Sequence, residues 1–132
     1  MKFLVLLGRI FYSAIFIGSG IGHFSSSAIH YGEMHDVAMP ELLVPAAGVI
    51  ALLGGLSILL GYKARLGAWM IVIFLVPVTL MMHNFWTVNE PGLRMVQQAM
   101  FMKNLSMLGA ALLIAYFGPG PCSLTKFKKK KK

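Results

Sequence analysis

Apolar residues in this chain fall into long unbroken runs, not into the alternation of a strand or the narrow stripe of a soluble helix. Four runs reach the ~20 residues needed to cross a bilayer core. They cover residues 3–24, 42–61, 66–85 and 97–117, and they predict an all-α fold, a transmembrane four-helix bundle. The expectation is one integral membrane domain over residues 1–132 with a basic tail from 118 to 132, since no polar linker separates a second module. Lys2 ahead of the first run and "SSSA" behind it have the look of a signal peptide. The run is longer than a usual signal core and carries Arg9 and His23, so it is read as a retained span.

Polar residues inside the runs mark the faces that turn inward. On the first span Arg9, Tyr12, Ser13, Phe16, Ser19, Gly20 and His23 recur at steps of three and four, which places them on one stripe. On the fourth, Gln97, Met100, Lys103, Asn104, Met107 and Ala111 share a face, with Gly109 and Ala110 expected to allow close packing. The second span has no ionisable residue after Glu41 and is rich in Gly and Ala, the composition of a packing helix. Pro77 in the third removes a backbone donor and frees the carbonyl of Ile73, so a kink or local unwinding is expected there. Between the first two spans, "SSSAIHYGEMHDVAMPE" is long enough for a short helix or re-entrant piece, broken at Gly32 and Pro40. It is the expected lid over whatever lies beneath.

Composition supports the membrane reading: 58% of residues are hydrophobic and 12% charged, with mean hydropathy +0.76, too apolar for a soluble domain of 132 residues. Charge then orients the spans. Lys2, Lys63, Arg65 and the terminal lysines fall on one side, while the opposite loops hold only Arg94. By the positive-inside rule both termini are cytoplasmic. All four acids, Glu33, Asp36, Glu41 and Glu90, fall on the other side. The net charge of +8 does not imply a nucleic-acid partner, because half of the twelve basic residues lie in "KFKKKKK". Lys128 to Lys132 are expected to lie against anionic lipid headgroups. Cys122 is the single cysteine, which excludes an intrachain disulfide or a CxxC shuttle.

Counted from the acidic ends of their spans, His23, His83, Asn84, Gln97, Lys103 and Asn104 lie within about 10 Å of depth at ~1.5 Å per residue. They are candidates for one polar pocket in the outer half of the membrane. A charge at such depth costs at least ~2.5 kcal/mol, so Lys103 is expected to face protein, water or an anionic partner. The alternative is that its stem snorkels roughly 9 Å to the interface. Trp86 has two readings, an interfacial aromatic belt or a cover over a ligand. Arg9, near the basic end, is read as structural, and the methionines as adaptable packing. No HxxxH or ExxH pair occurs, so no metal or haem site is expected.

The segments "LLGRIFYSAIFIGSGIGHF", "GGLSILLGYKARLGA", "HNFW" and "FMKNLSMLGAALLIAYFGPGPCSL" resemble the DoxX family of small four-helix bacterial membrane proteins over nearly the full length. The Phe-x-Lys-Asn setting and the terminal Gly-Pro-Gly before Ser-Leu are the most specific of these. The resemblance implies a multi-pass protein of the bacterial cytoplasmic (inner) membrane and matches Arg9, His83, Trp86, Lys103 and Asn104 to family positions. One departure stands out: many relatives carry a glutamate in the second span where this chain has Ala51. The family takes its name from similarity to a subunit of a thiosulfate:quinone oxidoreductase, and its oxidoreductase label is an analogy of fold.

Two function classes follow. In the first, the chain is an accessory of a membrane redox system that holds a quinone-like lipophilic ligand at Lys103, Asn104, His83, Trp86, Gln97 and His23, with a redox protein or a second copy as partner. Lys103, Asn104 and His83 would act as donors to the ligand's oxygens. In the second, it is a non-catalytic scaffold or stress-related interaction protein whose polar residues only tie the helices together.

Overall fold

The computed structural model describes residues 1–125, and these are all-helical, without strands. Five α-helices follow in order: α1 (Lys2–Gly22), α2 (Ser26–Met34), α3 (Pro40–Leu60), α4 (Ala64–Met82) and, after a 3-10 turn at Phe85–Thr87, α5 (Pro91–Phe117). Four of them, α1, α3, α4 and α5, are long and apolar enough to cross a membrane. Their antiparallel order gathers Lys2, Lys63 and Arg65 at one end, called here the basic end, and Glu33, Asp36, Glu41 and Glu90 at the other, the acidic end.

The helices form a chain of neighbours in which α1 packs on α3, α3 on α4 and α4 on α5. In a bilayer, helices do not associate to escape water, so close van der Waals packing of small residues has to hold them. A Cβ on Gly48 would stand 2.6 Å from that of His23 and 2.7 Å from the carbonyl oxygen of Gly20, so α1 and α3 meet backbone to backbone. Gly54 and Gly67 do the same for α3 and α4, where a Cβ on Gly54 would stand 2.9 Å from the Gly67 carbonyl. Ala51, with no exposed surface, lies in the core with Phe16, Ile58, Ile71, Phe74, Leu75 and Ala111. The Gly- and Ala-rich span is thus the packing helix its composition suggests. Gly109 departs from its expectation, since a Cβ there meets nothing within 4 Å, and it is Ala111 that is buried.

Local chemistry moves three boundaries. Helix α5 starts at Pro91, well before the apolar run near residue 97, because Glu90 caps it. The Glu90 carboxylate accepts from the backbone N–H of Gly92 at 2.9 Å and of Leu93 at 2.5 Å, and Pro91 occupies the first-turn position where a missing N–H is harmless. At the far end of α4, His83 is already the C-cap, and the chain leaves the helix short of residue 85. Gly32 does not interrupt α2; it is buried under Val44, whose Cγ2 would lie 2.7 Å from an added Cβ. Pro77 is accommodated inside a continuous α4.

The Glu90 cap is testable by pH. Two backbone donors favour the charged form and hold this carboxyl below its ordinary value of 4.5. A lowered folded pKa means that the stabilisation is complete above the ordinary value and is lost as pH falls through the folded one. Hydrogen-exchange protection of the Leu93 amide is expected to survive acidification through the ordinary value of 4.5 and to fall at lower pH, and to be weak at every pH in Glu90→Ala. Protection that ignored both pH and the substitution would refute the cap.

At the basic end the chain after α5 folds back across the bundle. Arg9, only 4% exposed, donates to the carbonyl of Pro119 at 3.2 Å and to that of Cys122. Leu124 N–H donates to Leu60 O at 3.0 Å, and Thr125 N–H to Gly61 O at 3.2 Å. Gly61 sits at φ +66°, where a side chain would strike Ser123 and Arg9. Residues 118–125 are therefore tied down by backbone pairing, and Arg9 turns inward to hold them. The lysines 128–132 lie outside the described residues.

Candidate functional site

Toward the acidic end a half-open cavity of about 640 Å³ lies among the helices. Phe16 and Leu75 at its wall are buried, and α2 covers it with Ala28 and Tyr31. On its basic side, the Tyr12 hydroxyl donates to the Met107 carbonyl at 2.8 Å, bridging α1 to α5. Most of the lining is apolar, as is usual where a lipophilic molecule is bound.

Four of the six expected site residues lie on this wall: His23 from α1, His83 from the end of α4, and Lys103 and Asn104 from α5. Gln97 stands behind it, with Oε1 2.8 Å from His83 Nδ1. Trp86 lies off the wall and 52% exposed, in an edge-to-face cluster with Phe85 and Phe101, its ring 5.9 Å from that of Phe101. Ser19 and Tyr31 are on the wall without having been singled out for it. Ser19 shared the inward stripe of its helix. For Tyr31 the sequence pointed only to the segment, as an expected lid, and the docking of α2 on α3 brings this side chain to the wall.

Hydrogen bonding decides what these groups can offer. His23 Nδ1 lies 2.6 Å from the Ser19 carbonyl, which can only accept. The Nδ1 of a neutral ring therefore carries the proton, and Nε2 is left as an acceptor. His83 is drawn the same way, with Nδ1 toward Gln97 Oε1. Asn104 is 5% exposed; the fully buried side-chain atoms left without a partner among the described residues are Arg9 Nε and Ser13 Oγ, so the Asn104 carboxamide keeps contact with the open space beside it. It lies among the cavity-lining residues, where a buried polar group can be met by a ligand instead of by protein.

Lys103 stands at the edge of the cavity. Its side chain is exposed, with Nζ 3.3 Å from Met100 Sδ on the preceding turn. It makes no ion pair among the described residues, and no carboxylate lines the cavity. The wall thus carries one cation without a counter-charge, an amide that donates and accepts, and two imidazoles that accept.

Four apolar helices of spanning length around a cavity with so few polar groups define an all-helical integral membrane protein. The chain belongs to the DoxX family, whose profile matches residues 4–84, from α1 through α4. It is 31% identical over 127 residues to Inner membrane protein YqjF of Escherichia coli, covering 96% of this chain and 93% of that one. Inner membrane protein YphA of the same organism is 30% identical over 127 residues, covering 93% and 89%. The Surfeit locus protein 4 homolog of Drosophila melanogaster is 35% identical over 74 residues, which are 55% of this chain and 27% of that protein. No solved structure matches the chain. The profile stops before α5, so Lys103 and Asn104 lie beyond it and within the span shared with the two bacterial relatives.

Proposed function

We propose that the protein is a multi-pass component of the bacterial inner membrane that binds a quinone-like lipophilic compound in the cavity, as an accessory of a membrane redox system. The carboxamide of Asn104, on a largely buried residue that lines an apolar cavity, carries this reading, because a membrane interior offers no water to satisfy it. A quinone ring has carbonyl oxygens for Lys103 and Asn104, and its reduced form has hydroxyls for the free nitrogens of His23 and His83. The isoprenoid-like remainder suits the apolar lining. Trp86 and Gln97 act from behind, one as an interfacial anchor and the other holding the His83 ring. The partner is a redox protein or a second copy of the chain.

Orientation follows from charge. The basic end and both termini face the cytoplasm, the lysine tail lies against anionic headgroups, and the cavity sits in the outer-leaflet half. A reporter fused after Lys132 is expected to be active only in its cytoplasmic form; a periplasmic signal would invert the assignment. The ligand is tested on the purified full chain. Organic extraction is expected to release a quinone absorbance stoichiometric with protein, and decylubiquinone is expected to quench tryptophan fluorescence saturably. Neither signal would leave the scaffold reading, which the helix-tying bonds Tyr12 to Met107 and His83 to Gln97 favour.

A further inference from the structure

The polar and apolar parts of the cavity wall face different seams between the helices. Apart from Tyr31 of α2, its exposed members divide into two groups. Leu43 of α3 with Ile73, Pro77 and Met81 of α4 belong to the α3/α4 seam, and all four are apolar. Ile15 of α1 and Lys103 of α5 belong to the seam on the opposite side of the bundle, where the cation stands. Tyr12 and Met107 bridge that side by one hydrogen bond, and α1 and α5 otherwise touch little.

Helices α3 and α4 are pinned at the basic end by their short turn and the contact of Gly54 with Gly67. No such turn joins them at the acidic end, where each carries an internal proline, Pro45 in α3 and Pro77 in α4. Pro77 has no N–H to give, so the Ile73 carbonyl lacks its usual helical donor. Backbone left open in this way is tolerated at membrane depth where it borders a cavity, and Ile73 and Pro77 both line this one.

Resting on the reading of a lipophilic ligand, we infer that the cavity is a passage across the bundle: the ligand's oxygen-bearing head lies at Lys103 and Asn104, and its hydrocarbon chain leaves into the bilayer between α3 and α4. The occupant is therefore a single-chain amphiphile entering sideways from the acyl region, not a water-soluble compound arriving from beyond the acidic end, where α2 covers the site. A chain directed toward α1 and α5 would have to pass the Lys103 ammonium, which a hydrocarbon cannot solvate.

The experiment uses the full chain in phosphatidylcholine nanodiscs and a ubiquinone analogue whose ten-carbon chain ends in a photoactivatable diazirine. Adducts mapped by peptide mass spectrometry are expected at Leu43, Ile73 or Met81, and are expected to be lost with excess decylubiquinone. Competed adducts at Ile15 or Ser19 instead would overturn the inference while leaving the ligand site standing. Saturable quenching with competed adducts on α2 alone would show entry from beyond the acidic end and would overturn it as well. Absence of both saturable quenching and competed adducts would overturn the inference together with the reading on which it rests.

Discussion

Gly48→Leu is expected to push α1 off α3 and to lower stability by about 3 kcal/mol, the upper part of the range for overpacking a close contact. The contact is between backbones, which cannot yield as a side-chain tip does: a Cβ at this position already stands 2.7 Å from the Gly20 carbonyl oxygen. The further atoms of leucine would be driven toward His23, so the variant is also expected to disturb the cavity wall. Unfolding of the purified protein in detergent, followed by circular dichroism, reads the effect. Gly109→Leu supplies the contrast, since a Cβ there has open space and a helix gains propensity from losing glycine. Its midpoint is expected to stay at or slightly above that of the parent. Equal losses in both variants would mean that the α1–α3 contact is not the tight one.

The second large effect is expected to separate binding from folding. Asn104→Leu keeps the volume of the side chain and removes the amide of a largely buried residue on the cavity wall. An unpaired buried polar group costs about 1–3 kcal/mol, so ligand-free protein is expected to hold or gain stability. Its affinity for decylubiquinone is expected to fall on the order of tenfold, the loss of about 1.4 kcal/mol of hydrogen bonding. Lys103→Met removes the cation while keeping an apolar stem, and a charged hydrogen bond of ~1.5–3 kcal/mol predicts a loss of roughly tenfold to a hundredfold. Lys103→Arg is expected to restore part of it. Fluorescence titration beside thermal unfolding distinguishes the alternatives. Destabilisation of Asn104→Leu with unchanged affinity would make the amide a structural tie and favour the scaffold reading.

The polar stripe of α1 shows how much inward geometry a helical period carries: Arg9, Ser13, Phe16 and Gly20 are all buried, as steps of three and four require. The same reasoning was weaker on α5. There only Asn104 and Ala111 are buried. The helix contacts α4 along its length, but it meets α1 mainly through the Tyr12 bridge, so much of its polar face borders the cavity or the surface and not another helix. Lys103 and Asn104 are neighbours in sequence. One residue is a turn of 100° on an ideal helix, and that rotation separates an exposed ammonium from a buried amide.

The sequence by itself determined the all-helical class, the four spans, the charge asymmetry between their ends and the family, because each of these is written in local runs of residues whose length and hydropathy answer to the bilayer alone. It also placed His23, His83, Lys103 and Asn104 at a common depth, since rise along a helix is a count of residues. Only the tertiary structure decided which groups at that depth share a wall. Lateral position depends on which helices touch, and here glycine contacts between α1, α3 and α4 set it. The bond of His23 to the Ser19 carbonyl stays within one helical turn, whereas tertiary contact spent one nitrogen of His83 on Gln97 and gave Arg9 the carbonyls of a segment far from it in sequence. Hydrogen-bond partners separated by such distances along the chain leave no local pattern, because each is selected by packing and not by the residues beside it.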